Sequence, residues 1–184
     1  MNHFFQSIDG WSAFREFYID AVNEAPQEGA YFVEVGSWMG RSAAFMAVEI
    51  INSGKDIRFD CVDHWRGSVE HGQVNADALY RAFLANTAPV RHVVNPVCHT
   101  SLDAARLYED ESLDFVLIDA SHEHKDVLAD IQAWLPKVKP GCVLAGDDYY
   151  WDGVRRACDE VFGGYVGAGP LRANGEQHCW RIRK

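Results

Sequence analysis

The sequence predicts an α/β fold of three layers, in which helices cover both faces of a doubly wound, mostly parallel sheet. Short apolar runs alternate with helix-like segments along the chain, as they do in β-α-β units. Several of these runs end in an acidic residue or a glycine turn. The last two runs flank the turn-like Ala173-Asn174-Gly175, which is typical of a hairpin. The final strand is therefore expected to be antiparallel.

The predicted elements follow one another without a repeat, a linker or a low-complexity segment. A leading helix is expected over about 8–23. Short apolar runs predict strands at Tyr31–Val35, Ile57–Val62, Val90–Val94, Leu113–Ile118 and Gly141–Ala145, with Tyr165–Val166 and His178–Ile182 as the hairpin. Helical spacing predicts helices at about Arg41–Asn52, Ala76–Asn86, Leu102–Tyr108, Lys125–Trp134 and Gly153–Phe162. The polar segment Arg66–Val74 is expected to form a loop over the site.

Composition narrows the classes of function. A chain of 184 residues suits one domain, and its net charge of -10 disfavours nucleic acid as a partner. No run approaches the roughly 18 apolar residues of a membrane span, and Met1 to Gly10 lacks a secretion signal. Five cysteines without a C-x-x-C pair disfavour zinc or disulfides. We therefore expect a cytoplasmic protein with reduced thiols and no membrane or nucleic-acid partner.

Acidic residues stand where several predicted strands end. Glu34, Asp63, Asp119, Asp147 and Asp148 should converge, because the carboxyl ends of parallel strands share one edge. Two carboxylates about 4 Å apart repel by roughly 4 kcal/mol at an effective dielectric near 20. Such a cluster needs a cation, a shared proton or wide separation. One aspartate alone is more simply a helix cap, but the last three together favour a ligand role.

The turn after the first strand favours a cofactor without a diphosphate. Gly36 permits close backbone approach, and the next helix offers free N–H groups to an anion. Trp38 stands where a dinucleotide-binding turn has its second glycine. Asp63 can accept hydrogen bonds from a ribose diol, or it is a solvated loop acid. Trp65 either faces an adenine or covers the edge of the core.

The run "FVEVGSWMGRSA" resembles the cofactor loop of class I S-adenosylmethionine-dependent methyltransferases. It is closest to the catechol O-methyltransferase type, whose loop has the form E-x-G-x-x-x-G-x-S. The run from "DFVLIDASHEHKD" to "AGDDYYWDGV" is similar to the second half of that fold and to small enzymes of the macrocin O-methyltransferase type. The likeness covers roughly 31–162. It implies one Rossmann-like methyltransferase domain over 1–184, with a helical cap at 1–28 and a cofactor-binding core at 29–184.

The resemblance also implies roles for individual residues. The loop residues Glu34, Gly36, Ser37, Gly40 and Ser42 would line the methionine end of S-adenosylmethionine. Asp63 would bind the ribose, Thr100 or Ser101 would lie beside the adenine, and Asp119 would serve both the cofactor and the chemistry. Asp119, Asp147 and Asp148 match the metal-ligand positions, where all-oxygen ligands suit Mg²⁺ or another hard divalent ion.

One departure from the catechol enzymes leaves the substrate open. Three residues after Asp119, where those enzymes have a lysine base, this chain has His122. A neutral imidazole can still take a proton, although His122 can also be a packing residue at a helix start. The expected acceptor is a hydroxyl of a small molecule or sugar. Alternatives are a nicotinamide-dependent oxidoreductase or a non-catalytic nucleoside-binding module. Trp11 and Phe14 are candidates for a homodimer face.

Overall fold

The short apolar runs form the strands of one sheet. The computed structural model describes residues 1–67, 72, 74–164, 166–168 and 177–184. Within these residues the strands are β1 Ala30–Val35, β2 Ile57–Asp63, β3 Val94–Cys98, β4 Leu113–Ile118, β5 Val138–Gly146, β6 Gly167–Ala168 and β7 Trp180–Arg183. Their order in the sheet is β3-β2-β1-β4-β5-β7-β6.

The strand directions confirm the predicted fold class. β1 to β5 are parallel to their neighbours, whereas β7 runs antiparallel to both β5 and β6. β1 pairs with β2 on one side and β4 on the other, so the strand order reverses between β1 and β4. Ligands of doubly wound sheets bind at such a reversal, beyond the carboxyl ends of the strands.

Six helices cover the two faces of the sheet in the described part of the chain. They are α1 Arg15–Glu24, α2 Arg41–Ser53, α3 Ala76–Thr87, α4 Ser101–Ala105, α5 His124–Trp134 and α6 Asp152–Phe162. Apolar residues of α1, α2 and α3 belong to one hydrophobic cluster, and those of α4, α5 and α6 belong to another. No helix described is both long and apolar enough to cross a bilayer.

Alternation along the strands supplies both clusters. In β4, Phe115 and Leu117 pack into the first cluster, while Val116 and Ile118 pack into the second. Successive side chains of a strand point to opposite faces, so a strand buried on both faces is apolar throughout. The three-layer architecture follows directly from this pattern.

The predicted leading helix was too long at its start. α1 begins at Arg15 rather than near residue 8, and only Phe5–Ser7 form a short 3₁₀ turn before it. Gly10 between them has a φ of 131°, which a helix does not accept. Phe14 is fully buried, so it is unavailable as a dimer face; Trp11 remains 69% exposed.

The third strand begins later than predicted, because a short 3₁₀ helix occupies the predicted start. Residues Ala88–Val90 form a 3₁₀ helix with Pro89 in its first turn, and β3 begins only at Val94. β3 pairs with β2 alone and forms the edge of the sheet, where Pro96 is tolerated because one side of the strand needs no partner. The next helix, α4, is correspondingly earlier and shorter than predicted.

The hairpin at the end of the chain is described only in part. β7 and the short β6 pair antiparallel, one or two residues from the predicted positions. The predicted turn Ala173-Asn174-Gly175 lies outside the described residues, as do Tyr165 and part of the predicted loop Arg66–Val74.

The main chains at the ends of β1 and β4 lie in close contact. Gly36 has a φ of 93°, and a Cβ added there would lie 1.8 Å from the carbonyl oxygen of Asp119. The Asp119 amide donates to the Val35 carbonyl at 2.7 Å, which holds the two chain segments together. Any side chain at position 36 would force these segments apart.

We expect Gly36→Ala to lower the free energy of unfolding by at least about 3 kcal/mol, because strain at positive φ adds to a backbone clash. Gly54→Ala is the matched control: Gly54 has a φ of 67°, but a Cβ added there would have no atom within 4 Å. It should lose only about 1–2 kcal/mol from backbone strain. Urea unfolding of both variants measures the difference, and equal losses would contradict the steric argument.

Candidate active site

A cavity opens beyond the carboxyl ends of β1, β2 and β4, as the reversal in strand order predicts. Its volume is about 580 Å³, and its lining includes Gly36, Asp63, Thr100, Asp119 and Asp130. The lining thus combines the glycine turn, the acids that end β2 and β4, the segment after β3 and one face of α5. This volume lies in the range of small-molecule and cofactor sites.

The turn after β1 is shaped by two glycines and buried hydroxyls. Gly36 donates its amide to the Val62 carbonyl at 2.8 Å, and Gly40, with a φ of 85°, precedes the first residue of α2. Ser37 and Ser42 are both buried beside this turn. Of the predicted cofactor-loop residues, only Gly36 is among those that line the cavity.

Asp63 holds the turn in place. Its Oδ2 accepts the amide protons of Ser37 at 3.0 Å and Trp38 at 2.8 Å, and its Oδ1 accepts that of Trp65 at 2.6 Å. Asp63 also lines the cavity. Each carboxylate oxygen has a second lone pair, so a ligand hydroxyl can bind at Oδ1 without breaking these hydrogen bonds.

Trp65 packs in the core. It is 1% exposed, its ring lies 4.6 Å from that of Tyr80 and 4.9 Å from that of Phe83, and its Nε1 donates to the Trp38 carbonyl. Of the two interpretations of this residue, coverage of the core edge is the one that the structure shows.

The two hydroxyls predicted beside an adenine already have partners in the protein. Thr100 accepts the Asp103 amide at 3.3 Å and donates to its carboxylate at 2.8 Å, so it caps α4. Ser101 accepts from Trp134 Nε1 at 2.9 Å. Both residues line the cavity, but their hydroxyls serve the fold.

Glu34 is a buried acid in the middle of the sheet. It is fully buried, and the Tyr18 hydroxyl donates to its Oε2. Burial raises the pKa of Glu34 to about 7, although the hydroxyls of Tyr18, Ser37 and Ser42 oppose this shift. The residue therefore changes charge near neutral pH. No sequence signal indicated this contact, because α1 brings Tyr18 to the sheet from 16 residues away.

The three predicted metal ligands fall into two neighbouring groups. Ligand atoms of Asp119, His122 and Asp148 lie within 4.8 Å of one another, and His122 Nε2 is 2.7 Å from Asp148 Oδ2. Asp147 belongs to the other group, with His178 and Cys179. The structure thus joins the predicted base directly to one predicted ligand and turns Asp147 towards β7.

Asp147 is held by two residues that sequence reasoning missed. Its Oδ1 is 2.8 Å from His178 Nδ1 and accepts from the Cys179 thiol at 3.0 Å. Burial and the charge of Asp147 raise the pKa of Cys179, so the thiol keeps its proton and remains a donor. Both residues immediately precede β7, and only the antiparallel pairing of β7 with β5 places them here.

Like charges concentrate at this edge. Burial, followed by the charges of Asp147 and Asp148, raises the pKa of Asp119 well above its usual range. Burial also opposes ionisation of Asp148, but hydrogen bonds from His122 and Tyr150 outweigh it and lower the pKa of Asp148. The ion pairs of Asp147 and Asp148 in the described residues are with histidines. The cluster has the ligand atoms to hold a cation or to share a proton.

Trp151 covers the His122 ring. The two ring centroids are 4.6 Å apart with an interplanar angle of 20°, and Trp151 is 40% exposed. The stacking fixes the plane of the imidazole and leaves the outer face of the indole open to solvent.

The comparisons with known proteins agree with this architecture. Residues 33–149 match a family model described as a methyltransferase domain. An uncharacterized protein, y4gI, of Sinorhizobium fredii is 28% identical over 148 residues, which are 79% of this chain. The chain spans only 16% of the length of that curated relative.

Solved structures share the fold at low sequence identity. The O-methyltransferase from Bacillus cereus, in complex with SAH, has a TM-score of 0.66 at 20% identity, covering 96% of this chain and 83% of its own. A putative rRNA-methylase from Clostridium thermocellum has a TM-score of 0.66 at 11% identity, covering 96% and 99%. The O-methyltransferase NovP has a TM-score of 0.63 at 15% identity, covering 92% and 78%.

The burial of Glu34 predicts a pH-dependent stability. Its pKa is about 7 in the folded chain and near 4.3 when unfolded, so its contribution is complete below pH 4.3 and is lost as pH rises through 7. Relative to Glu34→Gln, the wild type should lose roughly 4 kcal/mol of unfolding free energy over this range. Urea unfolding at several pH values measures it. Glu28 is exposed, so Glu28→Gln should show the same pH dependence of the unfolding free energy as the wild type. The prediction is refuted if Glu34→Gln shows that pH dependence too.

Proposed function

The chain belongs to the methyltransferase-domain family, and from that premise we propose that it transfers a methyl group from S-adenosylmethionine to a hydroxyl of a small molecule or sugar, with the help of a hard divalent ion such as Mg²⁺. The observation that carries the proposal is the group formed by Asp119, His122 and Asp148 beside the cavity behind Gly36. It combines a proton acceptor with carboxylate oxygens at the edge where the fold binds ligands.

The cavity suits the donor. The carboxylate of Asp63 lines it and can accept ribose hydroxyls, while Gly36 lets a ligand approach the main chain. Glu34 lies behind the same turn without lining the cavity, and its proposed role is to balance the α-ammonium group through the charge that it gains near neutral pH. The turn lacks the second glycine of diphosphate-binding sites, which argues against a nicotinamide cofactor. A purely structural scaffold would not need the crowded carboxylates.

The residues present fit a hard cation. Burial and like charge both oppose ionisation of Asp119, and a cation would relieve this repulsion. Asp119 and Asp148 offer oxygen ligands, and Asp147 has a second oxygen besides the one that His178 and Cys179 hold. When bound, Mg²⁺ would supply charge that lowers the pKa of the acceptor hydroxyl.

His122 is the proposed proton acceptor. Its Nε2 lies 2.7 Å from Asp148 Oδ2, so the carboxylate would stabilise the imidazolium that forms when the ring takes up a proton. Trp151 holds the ring plane by stacking on it. The hydroxyl proton passes to His122, the oxygen forms a bond to the methyl carbon, and the carbon–sulfur bond breaks to leave the neutral thioether. The remaining task is alignment of oxygen, carbon and sulfur.

The acceptor is proposed to be small and uncharged or cationic. A net charge of -10 and a carboxylate-rich edge repel the phosphates of nucleic acid. Trp151 and Tyr150 border the cluster and offer flat faces to a ring or a sugar. A screen of labelled methyl transfer to catechols, glycosides and hydroxamates would identify the acceptor class.

We expect methyl transfer to be lost when a chelator removes divalent ions, and to return when Mg²⁺ is added in excess. Cofactor binding, measured separately by calorimetry, should persist in the chelator because Gly36 and Asp63 do not depend on the ion. Full activity in chelator would refute the metal part of the proposal and leave the His122–Asp148 pair as the whole machinery.

Replacement of the base should cost about 10²- to 10⁴-fold in kcat, the usual contribution of a positioned general base. His122→Gln tests this, since it keeps a hydrogen-bonding side chain near Asp148. Asp152→Asn is the control, because Asp152 is an exposed residue at the start of α6 whose ion pairs are with Arg155 and Arg156. A His122→Gln enzyme within threefold of wild type in initial-rate assays would exclude the role of base.

A further inference from the structure

The cavity contains a buried carboxylate that the proposed mechanism does not use. Asp130 lies on α5, is 5% exposed and lines the same cavity as Asp63 and Asp119. Aspartate is rarely buried to this degree unless it is paired. A buried acid on the wall of a ligand cavity is therefore a residue whose partner has to be identified.

Protein groups satisfy Asp130 only in part. Burial raises the pKa of Asp130 to about 6, while a hydrogen bond from the Ser101 hydroxyl lowers it and the charge of Asp126 raises it. Ser101 in turn accepts from Trp134 Nε1. Among the described residues, the Ser101 hydroxyl is the one hydrogen-bond donor that these contacts assign to Asp130. A carboxylate has about four acceptor positions, so Asp130 can still accept hydrogen bonds from a ligand in the cavity that it lines.

Another buried aspartate of the chain illustrates what full pairing requires. Asp60, 1% exposed, accepts from Tyr31, Tyr108, Asn95 and Arg58 at distances from 2.5 to 3.3 Å. Asp60 thus has four partners within the protein, whereas the described contacts give Asp130 one. The difference leaves acceptor positions of Asp130 available to a ligand in the cavity.

The position of Asp130 decides which part of an S-adenosyl group reaches it. Ser101 follows β3, and two strands separate β3 from β4, whose end carries Asp119. At about 4.8 Å per strand, the Ser101 end of the cavity lies roughly 14 Å from the acid cluster. The methyl group has to face that cluster, so the base of the donor lies at the opposite end, next to Ser101 and Asp130.

The adenine base carries one strong hydrogen-bond donor, its 6-amino group. Val62, Leu102 and Ala129 also line the cavity and suit the flat apolar faces of a purine. We propose that Asp130 accepts a hydrogen bond from the 6-amino group of the donor's adenine and thereby selects adenine among purines. This inference rests on the proposed S-adenosyl donor and adds the residue that recognises its base.

The test compares two ligands and three proteins. The ligands are S-adenosylhomocysteine and its analogue with hydrogen in place of the 6-amino group, and calorimetry gives Kd for each. Wild type should bind the amino form about 10- to 100-fold more tightly, as expected for a hydrogen bond to a charged acceptor. In Asp130→Ala this ratio should fall to within about threefold, because removal of either partner abolishes the same hydrogen bond.

Asp126→Ala is the matched control. Asp126 lies one turn earlier on α5 and lines the same cavity, but it is exposed and its carboxylate accepts from Ser121. The wild-type ratio should survive in this variant. A ratio that collapses in Asp126→Ala instead would move the role to that residue and overturn the assignment of Asp130.

The outcomes separate the two proposals. Should Asp130→Ala not fold, the wild type alone decides: equal Kd values for the two ligands would refute adenine recognition while leaving the S-adenosyl donor intact. An unchanged ratio in a folded Asp130→Ala would refute it as well. Failure of the wild type to bind either ligand would refute the donor, and the inference with it.

Discussion

The structure depends on the close contact between the ends of β1 and β4. At this point the strand order reverses, Gly36 meets the carbonyl oxygen of Asp119, and the Asp119 amide binds the Val35 carbonyl. The contact brings the cofactor turn and the first acid of the cluster together through main-chain atoms alone. Helices α2 and α5 leave the sheet on opposite faces from here, which opens the cavity between the turns that lead into them.

Asp60 and the acids on the wall of the cavity have different surroundings. Asp60 is surrounded by donors from three strands and the segment after α4, so its charge is stabilised entirely within the protein. Asp119 and Asp130 lie on the wall of the cavity, and burial raises the pKa of each of them. The number of hydrogen-bond partners of a buried carboxylate therefore separates structural acids from acids of the site better than the presence of an acidic residue does.

Histidines and aromatic rings give the acid cluster its order. His122 bonds to Asp148 beneath Trp151, and His178 bonds to Asp147 beside Tyr150. Each aspartate of the adjacent pair is thus turned to a different neighbour. The carboxylates of the consecutive residues Asp147 and Asp148 therefore have different partners, and the proposed base is in direct contact with one of them. The arrangement keeps a high density of acid at one edge without forcing every carboxylate to ionise.

The amino-acid sequence by itself determined the layered fold, the family resemblance and the edge at which the acids lie. Apolar runs buried on both faces, such as Leu113–Ile118, and the turn at Gly36 carry that information locally. The apolar pattern alone did not give the correct starts of β3 and α1. A 3₁₀ helix that contains Pro89 precedes β3, and Gly10 has a positive φ in the segment where the helix was predicted. Only the tertiary structure decided the partners: Tyr18 for Glu34, Cys179 for Asp147, Ser101 for Asp130. These pairs are far apart in the chain, and the side chains meet because packing of helices and pairing of strands bring them together. The spacing of residues along the sequence does not predict contacts between side chains that are far apart in the chain.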